Sequence, residues 1–363
     1  MADCGDRPPG ACDACLRRSW LLGRLAGHLE TVRGRVLELP DATLIEAIGG
    51  READALAAEL EQSDPGALLA QASRHGLELT CRHQATYPPR LRELACAPAV
   101  LHAAGERGRA AALLDGDVVA LVGSRKPSEY GIAQARALGR GLAAAGVAVL
   151  SGMALGIDAA AHEGALEVGG PTVALLAAGA ERPYPASSSR LYRRILAGGA
   201  AVSELPAGTP VRRWMFPARN RLIAAAASMT VVVEAAAGSG ALLTAALASA
   251  LGRPVGAVPG RVGSRQAEGP NGLLAAGALV IRGAQDVLDH LFGAGVRSVA
   301  AVQRAPLDPE LERLLDAVAD GLDTPAALAR AGFDPKRGLA ALAVLELEGY
   351  LRRGAGGRFT LAG

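Results

Sequence analysis

The chain has 363 residues, of which 50% are hydrophobic and 20% are charged, and its formal net charge at pH 7 is +2. This balance excludes a disordered protein, and the length suffices for one large core with one or two small domains. The sequence shows neither an apolar run that could span a bilayer nor a signal peptide, so we expect a cytoplasmic protein without membrane contact.

The first part of the chain predicts a disordered segment followed by a small helical domain. Residues 1–15 show no periodic pattern, and we expect them to be disordered. Residues 16–80 have a helical pattern: Asp41 is a suitable N-cap, and Asp64-Pro65 begins a further helix. This domain, of the SAM or helix-hairpin-helix kind, shows no residues for chemistry and is expected to serve structure or protein contacts.

Cysteines near the N-terminus raise the question of a metal. Cys12 and Cys15 form a C-x-x-C motif, with Cys4 upstream and His28 downstream. Five cysteines in a chain without a signal peptide argue against a disulfide framework. A structural zinc site needs four ligands, and no second C-x-x-C follows. The pattern therefore favours a reduced, metal-free segment over a zinc knuckle.

Residues 81–292 are expected to form the central domain. Val100-Leu101 is predicted as an edge strand, and Val118–Val122 and Val147–Leu150 have the continuous apolar pattern of buried parallel strands. Strands and helices then alternate to about Leu291. The predicted fold class is α/β: an extended Rossmann-like, doubly wound, mostly parallel sheet.

Each of the first two parallel strands is followed by a turn that contains glycine. Ligands of open α/β sheets bind at such strand ends, where backbone N–H groups attract anions. Arg125 and Lys126 add positive charge to the first turn. A dinucleotide is not indicated, because this turn has only Gly123 and the second strand ends in Ser151 rather than in an acid. There is no ATP P-loop motif either, so we expect no cofactor.

Arginine and aromatic residues alternate between Arg212 and Arg221. Four arginines and two aromatic residues, Trp214 and Phe216, lie within these ten positions. Such interleaving, predicted here as a loop, suits single-stranded nucleic acid, because charge follows the backbone and rings stack on bases. The alternative is a solvated arginine loop with both aromatic side chains packed into the core, and the pattern alone does not decide between them.

Several carboxylates allow an enzyme to be considered. Asp158 and His162 are spaced i, i+4, and Glu204 and Glu234 lie at predicted strand ends. A nucleotide N-glycoside hydrolase could use such groups. The sequence favours instead an Asp158 that caps its helix and a His162 that packs locally.

The last part of the chain predicts a linker, residues 293–306, and a winged-helix domain, residues 307–363. Three helices are followed by a β-hairpin. Lys336 and Arg337 begin the third helix, and three arginines of the wing are placed to contact phosphate: Arg352, Arg353 and Arg358. DNA contact and protein contact remain open alternatives there.

Taken in order, the motifs of the central region resemble those of the DprA/Smf family of DNA-processing proteins. The resemblance covers about Tyr87 to Leu291. It is carried by YPPRL and six further motifs: VGSRKPSEYG at Val122–Gly131, SGMALGIDAAAH at Ser151–His162, SELPAGT at Ser203–Thr209, FPARNRLIA at Phe216–Ala224, SGALLTAALA at Ser239–Ala248 and AVPG at Ala257–Gly260.

This resemblance implies a function that spacing alone does not. The family binds single-stranded DNA without sequence preference, helps load RecA onto strands coated with single-strand-binding protein in natural transformation, forms dimers and has no known catalytic step. By matched position, the DNA-contacting residues are Arg125, Arg213 and Phe216. The motifs that build the same pocket contribute Ser124, Lys126, Gly152, Arg219, Asn220, Arg221, Ser239 and Gly240.

The expected function is therefore non-enzymatic binding of single-stranded DNA in RecA-dependent recombination, without membrane contact. Two alternatives are kept. One is a nucleotide-processing enzyme on the same sheet, and the other is a protein adaptor whose end domains bind partners.

Overall fold

The computed structural model of the protein describes residues 10–27, 36–298, 307–347 and 350–361. These residues form two compact units, which are divided at residue 300. Cys4, His28 and the greater part of the predicted linker lie outside the described residues. Within the described ranges, no helix is both long enough and apolar enough to cross a membrane.

The first unit is built on one large sheet. Its described helices are α1 (Asp13–Arg24), α2 (Asp41–Ile48), α3 (Ala53–Gln62), α4 (Pro65–Arg74), α5 (Pro89–Arg92), α6 (Arg109–Asp115), α7 (Glu129–Ala144), α8 (Ile157–Glu167), α9 (Ser189–Gly198), α10 (Met215–Ala226), α11 (Gly240–Ala250), α12 (Glu268–Ala275) and α13 (Ala284–Phe292). Its described strands are β1 (Leu77–Cys81), β2 (Val100–Gly105), β3 (Val118–Val122), β4 (Ala148–Ser151), β5 (Thr172–Leu175), β6 (Ala200–Ser203), β7 (Met229–Val232), β8 (Val255–Ala257) and β9 (Leu279–Val280).

The sheet has the order β1-β2-β6-β5-β4-β3-β7-β8-β9. The strands from β6 to β9 are parallel, and β2 joins β6 and β1 by antiparallel pairing. The chain moves from β3 towards β6 and then returns to place β7 on the other side of β3. The strand order therefore reverses between β3 and β7, which is where such folds bind ligands.

Helices cover both faces of this sheet, as the continuous apolar strands require. All five residues of β3 are buried. One hydrophobic cluster joins the sheet to α7, α8 and α13, and another joins it to α5, α6, α10 and α11. The prediction of a doubly wound, mostly parallel α/β fold is confirmed.

The N-terminal region differs from its prediction in two respects. Helix α1 begins at Asp13, inside the segment predicted to be disordered, and Cys15 is only 2% exposed. Strand β1, which the sequence analysis did not identify, forms the edge of the main sheet, so β2 is not the edge strand. Apolar residues of α1 and α4 share one cluster with β1 and β2, so residue 80 does not divide two compact units.

The arginine-aromatic segment also differs from its prediction, because most of it is helix α10 rather than a loop. A helix turns 100° for each residue, so side chains three or four positions apart share a face. Phe216, Arg219 and Asn220 have this spacing. Arg221 falls outside it and lies on another side of the helix.

The second unit has the predicted order of elements. Helices α14 (Pro309–Ala319), α15 (Pro325–Arg330) and α16 (Pro335–Leu347) precede the antiparallel strands β10 (Leu351–Arg353) and β11 (Phe359–Leu361). One apolar cluster joins the helices to both strands. The assignment as a winged helix remains a prediction.

Candidate nucleic-acid interface

A cleft of about 480 Å³ opens at the carboxyl end of β3, where the strand order reverses. Its walls come from the turn after β3, from α10 and from the start of α11. Eight of the residues predicted for the site line it: Ser124, Arg125, Lys126, Phe216, Arg219, Asn220, Ser239 and Gly240.

Backbone bonds fix the first wall. The N–H of Ser124 donates to the carbonyl of Glu234 at 2.6 Å, and the carbonyl of Ser124 accepts from Ile157 at 3.1 Å. The carboxylate of Glu234 accepts from the N–H of Ser128 at 2.8 Å and from its hydroxyl at 2.5 Å. These bonds hold the turn, while Arg125 and Lys126 project from it as exposed side chains.

Two buried charged side chains, Asp158 and Arg219, hold the second turn through its backbone. The Asp158 carboxylate accepts from the N–H groups of Gly152 at 3.1 Å and Ala154 at 3.4 Å. The Arg219 guanidinium donates to the carbonyl of Gly152 at 2.8 Å and also to that of Leu175. A Cβ on Gly152 would collide with this guanidinium, so a larger residue there would displace Arg219.

Burial shifts the pKa values of both members of this pair. It raises the pKa of Asp158 above its usual range, and the attraction of Arg219 and the backbone hydrogen bonds oppose that rise only in part. Burial also lowers the pKa of Arg219 to about 10, against the opposing attraction of Asp158. Asp158 and Arg219 are thus engaged in hydrogen bonds within the turns, whereas Arg125 and Lys126 have exposed side chains.

An aromatic side chain lies beside the exposed cations. The Arg125 guanidinium carbon is 4.9 Å from the centroid of the half-buried Phe216 ring. The ring of Tyr184, which is 50% exposed, lies 5.6 Å from Phe216, centroid to centroid. Phe216 also lines a neighbouring recess together with Tyr184 and Gly152. A stacking surface is thus placed next to positive charge.

The charge at this cleft is available to a ligand. Within residues 10–27, 36–298, 307–347 and 350–361, no carboxylate forms an ion pair with Arg125 or Lys126. The N-terminus of α11 forms another part of the wall, and helix N-termini attract anions. Asn220 donates to the carbonyl of Gly240 at 3.2 Å and so connects α10 to α11.

Three predicted site residues do not line this cleft. Gly152 lines the neighbouring recess. Arg213 is exposed just before α10. Arg221 is buried, forms an ion pair with Glu204 and lines a different cavity. The sequence could not separate Arg221 from Arg219, because it did not identify the helix that carries them to different sides.

The two aromatic residues of this segment are also separated. Trp214 is buried and its indole N–H donates to the carbonyl of Ala26 at 3.0 Å, so it belongs to the packing of the N-terminal helices. Phe216 lies in the cleft. Trp214 therefore fits the alternative of an aromatic side chain packed into the core, and Phe216 fits the alternative of a ring that can stack on bases.

The carboxylates considered for catalysis have structural partners. Asp158 and Glu234 hold the two turns, and Glu204 pairs with Arg221. The imidazole of His162 bonds through Nδ1 to the Thr172 hydroxyl at 2.7 Å, and burial lowers its pKa to about 3. His162 is thus a neutral core residue, as the sequence favoured.

Sequence reasoning overlooked two residues beside the cleft. Tyr184 and Arg182 line the recess next to Phe216, and both side chains are exposed. No role was predicted for their segment, residues 181–185. The available signal was an aromatic residue and an arginine close together just beyond a parallel strand, at the same edge as the two turns.

A group of possible metal ligands lies elsewhere in the first unit. The side chains of Cys12, Cys15, Cys81 and His83 have their ligand atoms within 4.8 Å of one another. The sequence identified the first two, but the other two are about seventy positions further along the chain.

In the second unit, Lys336 and Arg337 are exposed at the start of α16. Arg358 forms an ion pair with Asp323 at 2.7 Å, and the guanidinium carbon of Arg353 lies 5.6 Å from the ring centroid of Phe359. Arg358 is therefore paired with a carboxylate, unlike Arg125 and Lys126 in the described part of the first unit.

Comparison with known proteins identifies relatives of the first unit. The sequence model of the family described as DNA recombination-mediator protein A matches residues 78–292. Protein Smf of Escherichia coli is 40% identical over 209 residues, which cover 57% of this chain and 55% of that protein. The chain spans about half the length of the curated relatives it matches first.

Solved structures give the same relationship. DNA processing protein A of Streptococcus pneumoniae has a TM-score of 0.63 and 30% identity, covering 77% of this chain and 98% of that one. DNA processing protein A of Helicobacter pylori, whose structure was reported for its mode of single-stranded DNA binding, has a TM-score of 0.52 and 29% identity. The match covers 58% of this chain and 98% of that one.

Proposed function

This chain belongs to the DNA recombination-mediator protein A family, whose model matches more than half of it, and on that premise we propose that its cleft binds single-stranded DNA without sequence preference. The related protein of H. pylori binds single-stranded DNA. The proposed binding mode follows from the chemistry of the cleft.

The observation that carries this proposal is the contact between Arg125 and Phe216, 4.9 Å from guanidinium carbon to ring centroid. A guanidinium can hold a phosphate through two parallel hydrogen bonds, and an aromatic ring stacks on any base. Lys126 and the N-terminus of α11 add positive potential. Because every base has a π-face, this arrangement supplies affinity without reading sequence.

The strand is proposed to continue from the cleft across Phe216 towards Tyr184. The two rings are 5.6 Å apart, and Arg182 lies beside Tyr184 in the same recess. Successive bases would then meet successive aromatic side chains while the backbone follows the arginines. Arg213, exposed near the start of α10, is proposed to extend this basic track.

We further propose that the bound strand is passed to RecA and that the protein acts as a dimer without a catalytic step. This part rests on the resemblance of the motifs to the DprA/Smf family. It is tested by the rate at which RecA assembles on DNA coated with single-strand-binding protein. Wild-type protein should increase that rate, and a variant that has lost DNA binding in the cleft should not.

The binding site is tested by fluorescence anisotropy with labelled oligonucleotides at several salt concentrations. Arg125→Ala should weaken binding to every single strand by roughly 10- to 150-fold, because a charge-assisted hydrogen bond is worth about 1.5–3 kcal/mol. It should also reduce the slope of log affinity against log salt by about 0.7, the value for one phosphate contact on a single strand. Arg125→Lys should retain that slope.

Arg74→Ala is the matched control, because Arg74 is an exposed arginine at the end of α4, outside the cleft. It should bind as the wild type does. Equal affinity and equal salt slope for Arg125→Ala and wild type would show that the strand does not bind in this cleft. Tighter binding of double-stranded than of single-stranded DNA would contradict the proposed substrate.

A further inference from the structure

Three cysteines and one histidine from distant parts of the chain meet beside the edge strand of the sheet. Cys12 and Cys15 come from the start of α1, Cys81 ends β1, and His83 follows in the next turn. Cys15 and Cys81 are 2% and 1% exposed. This Cys₃His cluster is separate from the proposed DNA site, whose residues lie at the ends of β3 and β7.

The spacing of the cluster is that of ligands around one ion. The four ligand atoms are all within 4.8 Å of one another, and Nδ1 of His83 is 3.4 Å from the sulfur of Cys12 and 3.4 Å from that of Cys15. In a tetrahedral zinc site, bonds of about 2.3 Å to sulfur and 2.0–2.1 Å to nitrogen place sulfur and nitrogen about 3.5 Å apart. The three cysteines are free thiols rather than disulfide partners.

The surroundings of the cluster suit thiolate ligands. Cys12 is the N-cap of α1 and Cys15 lies in its first turn, where the positive end of the helix stabilises negative charge. On the other side, the amide of Gln84 accepts from the N–H of Cys81 at 2.8 Å and donates to the carbonyl of Gly10 at 3.0 Å. Gln84 thus ties the Cys81 turn to the segment that leads into α1.

We propose that the Cys₃His cluster binds one structural Zn²⁺. Zinc replaces the protons of the three thiols, which pass to solvent, and His83 binds through Nδ1 as a neutral imidazole. All four positions are filled by protein, so the ion has no open site for catalysis. It joins α1 to β1 and to the following turn, and so fastens the N-terminal helices to the free edge of the sheet.

The proposed zinc site also gives a role to the C-x-x-C motif of Cys12 and Cys15. The C-x-x-C motif lacked two of the four ligands that a structural site needs. Cys81-x-His83 supplies them, but only after the chain has folded so that β1 lies beside α1. The remaining described cysteine, Cys96, is not part of the cluster.

The test is the metal content of the full chain, purified without chelator from cells grown with added zinc. We expect about one zinc per chain in the wild type. Cys81→Ser should lose it, and His83→Asn should bind zinc more than about 100-fold more weakly, since even outer-sphere changes typically cost 10–100-fold. Cys96→Ser and His75→Asn are matched controls outside the cluster and should retain the metal.

A variant that keeps four ligands guards against a result caused by misfolding. His83→Cys should retain one metal per chain, and its cobalt-substituted form should show stronger thiolate-to-metal charge-transfer absorption than cobalt-substituted wild type. Chelation should lower the melting temperature of the wild type but not that of Cys81→Ser. Zinc content no higher in the wild type than in Cys81→Ser, a disulfide among these cysteines, or iron in place of zinc would overturn the proposal.

Discussion

The cleft of the first unit and helix α16 of the second unit both carry a pair of exposed basic residues, but the pairs have different neighbours. Arg125 and Lys126 lie beside a half-buried phenylalanine in a recess at the ends of parallel strands. Lys336 and Arg337 are followed on α16 by Leu339 and Leu347, which are 50% and 87% exposed. A basic pair indicates a nucleic-acid site when a recess and a stacking surface accompany it. Among the described residues, the pair at the cleft has both and the pair on α16 has neither.

The two units also differ in their interiors. The buried side chains of Asp158 and Arg219 line the cleft, and His162 is fully buried four positions after Asp158 on α8. In the described part of the second unit, no charged side chain is buried. Buried polar groups are costly when one partner is lost, so we expect the first unit to be the more sensitive to single substitutions and to pH.

The largest loss of stability is expected for Arg219→Met. This change keeps much of the side-chain length but removes the charge that faces Asp158 and the donors to two carbonyl groups. Removing one of two buried charges that attract each other leaves the other uncompensated, which typically costs about 3–5 kcal/mol in the free energy of unfolding. Urea unfolding followed by tryptophan fluorescence measures it, because Trp20 and Trp214, the tryptophans of the chain, both lie in the first unit.

Arg213→Met is the matched control. Arg213 is exposed six positions earlier, and a surface substitution of this kind should change stability by less than about 0.5 kcal/mol. The difference in stability between the two variants separates a buried arginine that supports the turns from an exposed arginine that is proposed to contact DNA. Equal stability of Arg219→Met and wild type would mean that the buried pair does not support the turns.

The second-largest effect is a pH dependence of stability, which is expected in the first unit only. Burial lowers the pKa of His162 to about 3 and that of His102 to about 4. An unfolded histidine has a pKa near 6.5, so the stability from each neutral side chain is complete above that pH and decreases as the pH falls. At pH 5, each should have lost about 2 kcal/mol, at 1.36 kcal/mol for each pH unit below 6.5.

His162→Gln isolates one of these two contributions. Asp158, whose raised pKa acts in the opposite direction, is present in both proteins and cancels in the comparison. The loss of stability between pH 7 and pH 5 should therefore be about 2 kcal/mol smaller in the variant. The second unit contains no histidine in its sequence and should show no such dependence. Identical pH profiles for His162→Gln and wild type would contradict the assignment of a neutral buried imidazole.

The sequence predicted the central fold well, because its signals there are local and repeated. Continuous apolar runs such as Val118–Val122 are typical of strands in a parallel sheet that is covered on both faces, and the turns after parallel strands meet at one edge. The position of the first turn of the site followed from this. Arg125 lines the cleft that opens at this edge, and its contact with DNA stays a prediction.

What the sequence did not predict depends on contacts between distant positions. Arg219 and Arg221 lie on different sides of helix α10. Most residues of this helix are buried, so its sequence shows no apolar periodicity that would reveal the helix. Strand β1 is short and lies at the edge, beside helices that share its apolar cluster. Cys81 and His83 do not form a recognisable metal-ligand motif by themselves, because the proposed site also needs Cys12 and Cys15 from a distant part of the chain.

The third prediction concerns affinity rather than stability. Phe216→Ala should weaken binding of single-stranded DNA by about 1–3 kcal/mol, the value of one base stacked on an aromatic ring, with an unchanged salt slope. Anisotropy at several salt concentrations tests both parts. Phe216→Trp should restore binding, and Tyr130→Ala, which removes an exposed aromatic side chain outside the cleft, should have no effect. A changed salt slope would mean that Phe216 acts by positioning Arg125 rather than by stacking.

The smallest loss of affinity for single-stranded DNA is expected for the double variant Lys336→Ala and Arg337→Ala in the second unit. Both backbone N–H groups are already bonded to the Asp334 carboxylate, and the side chains have no neighbouring recess or ring within the described contacts. Isolated exposed charges contribute little, so the affinity for single-stranded DNA should fall by less than about 0.5 kcal/mol. The same anisotropy titration measures it, with Arg125→Ala as the positive reference. A loss as large as that of Arg125→Ala would show that α16 contacts DNA and that a basic pair suffices without a stacking surface.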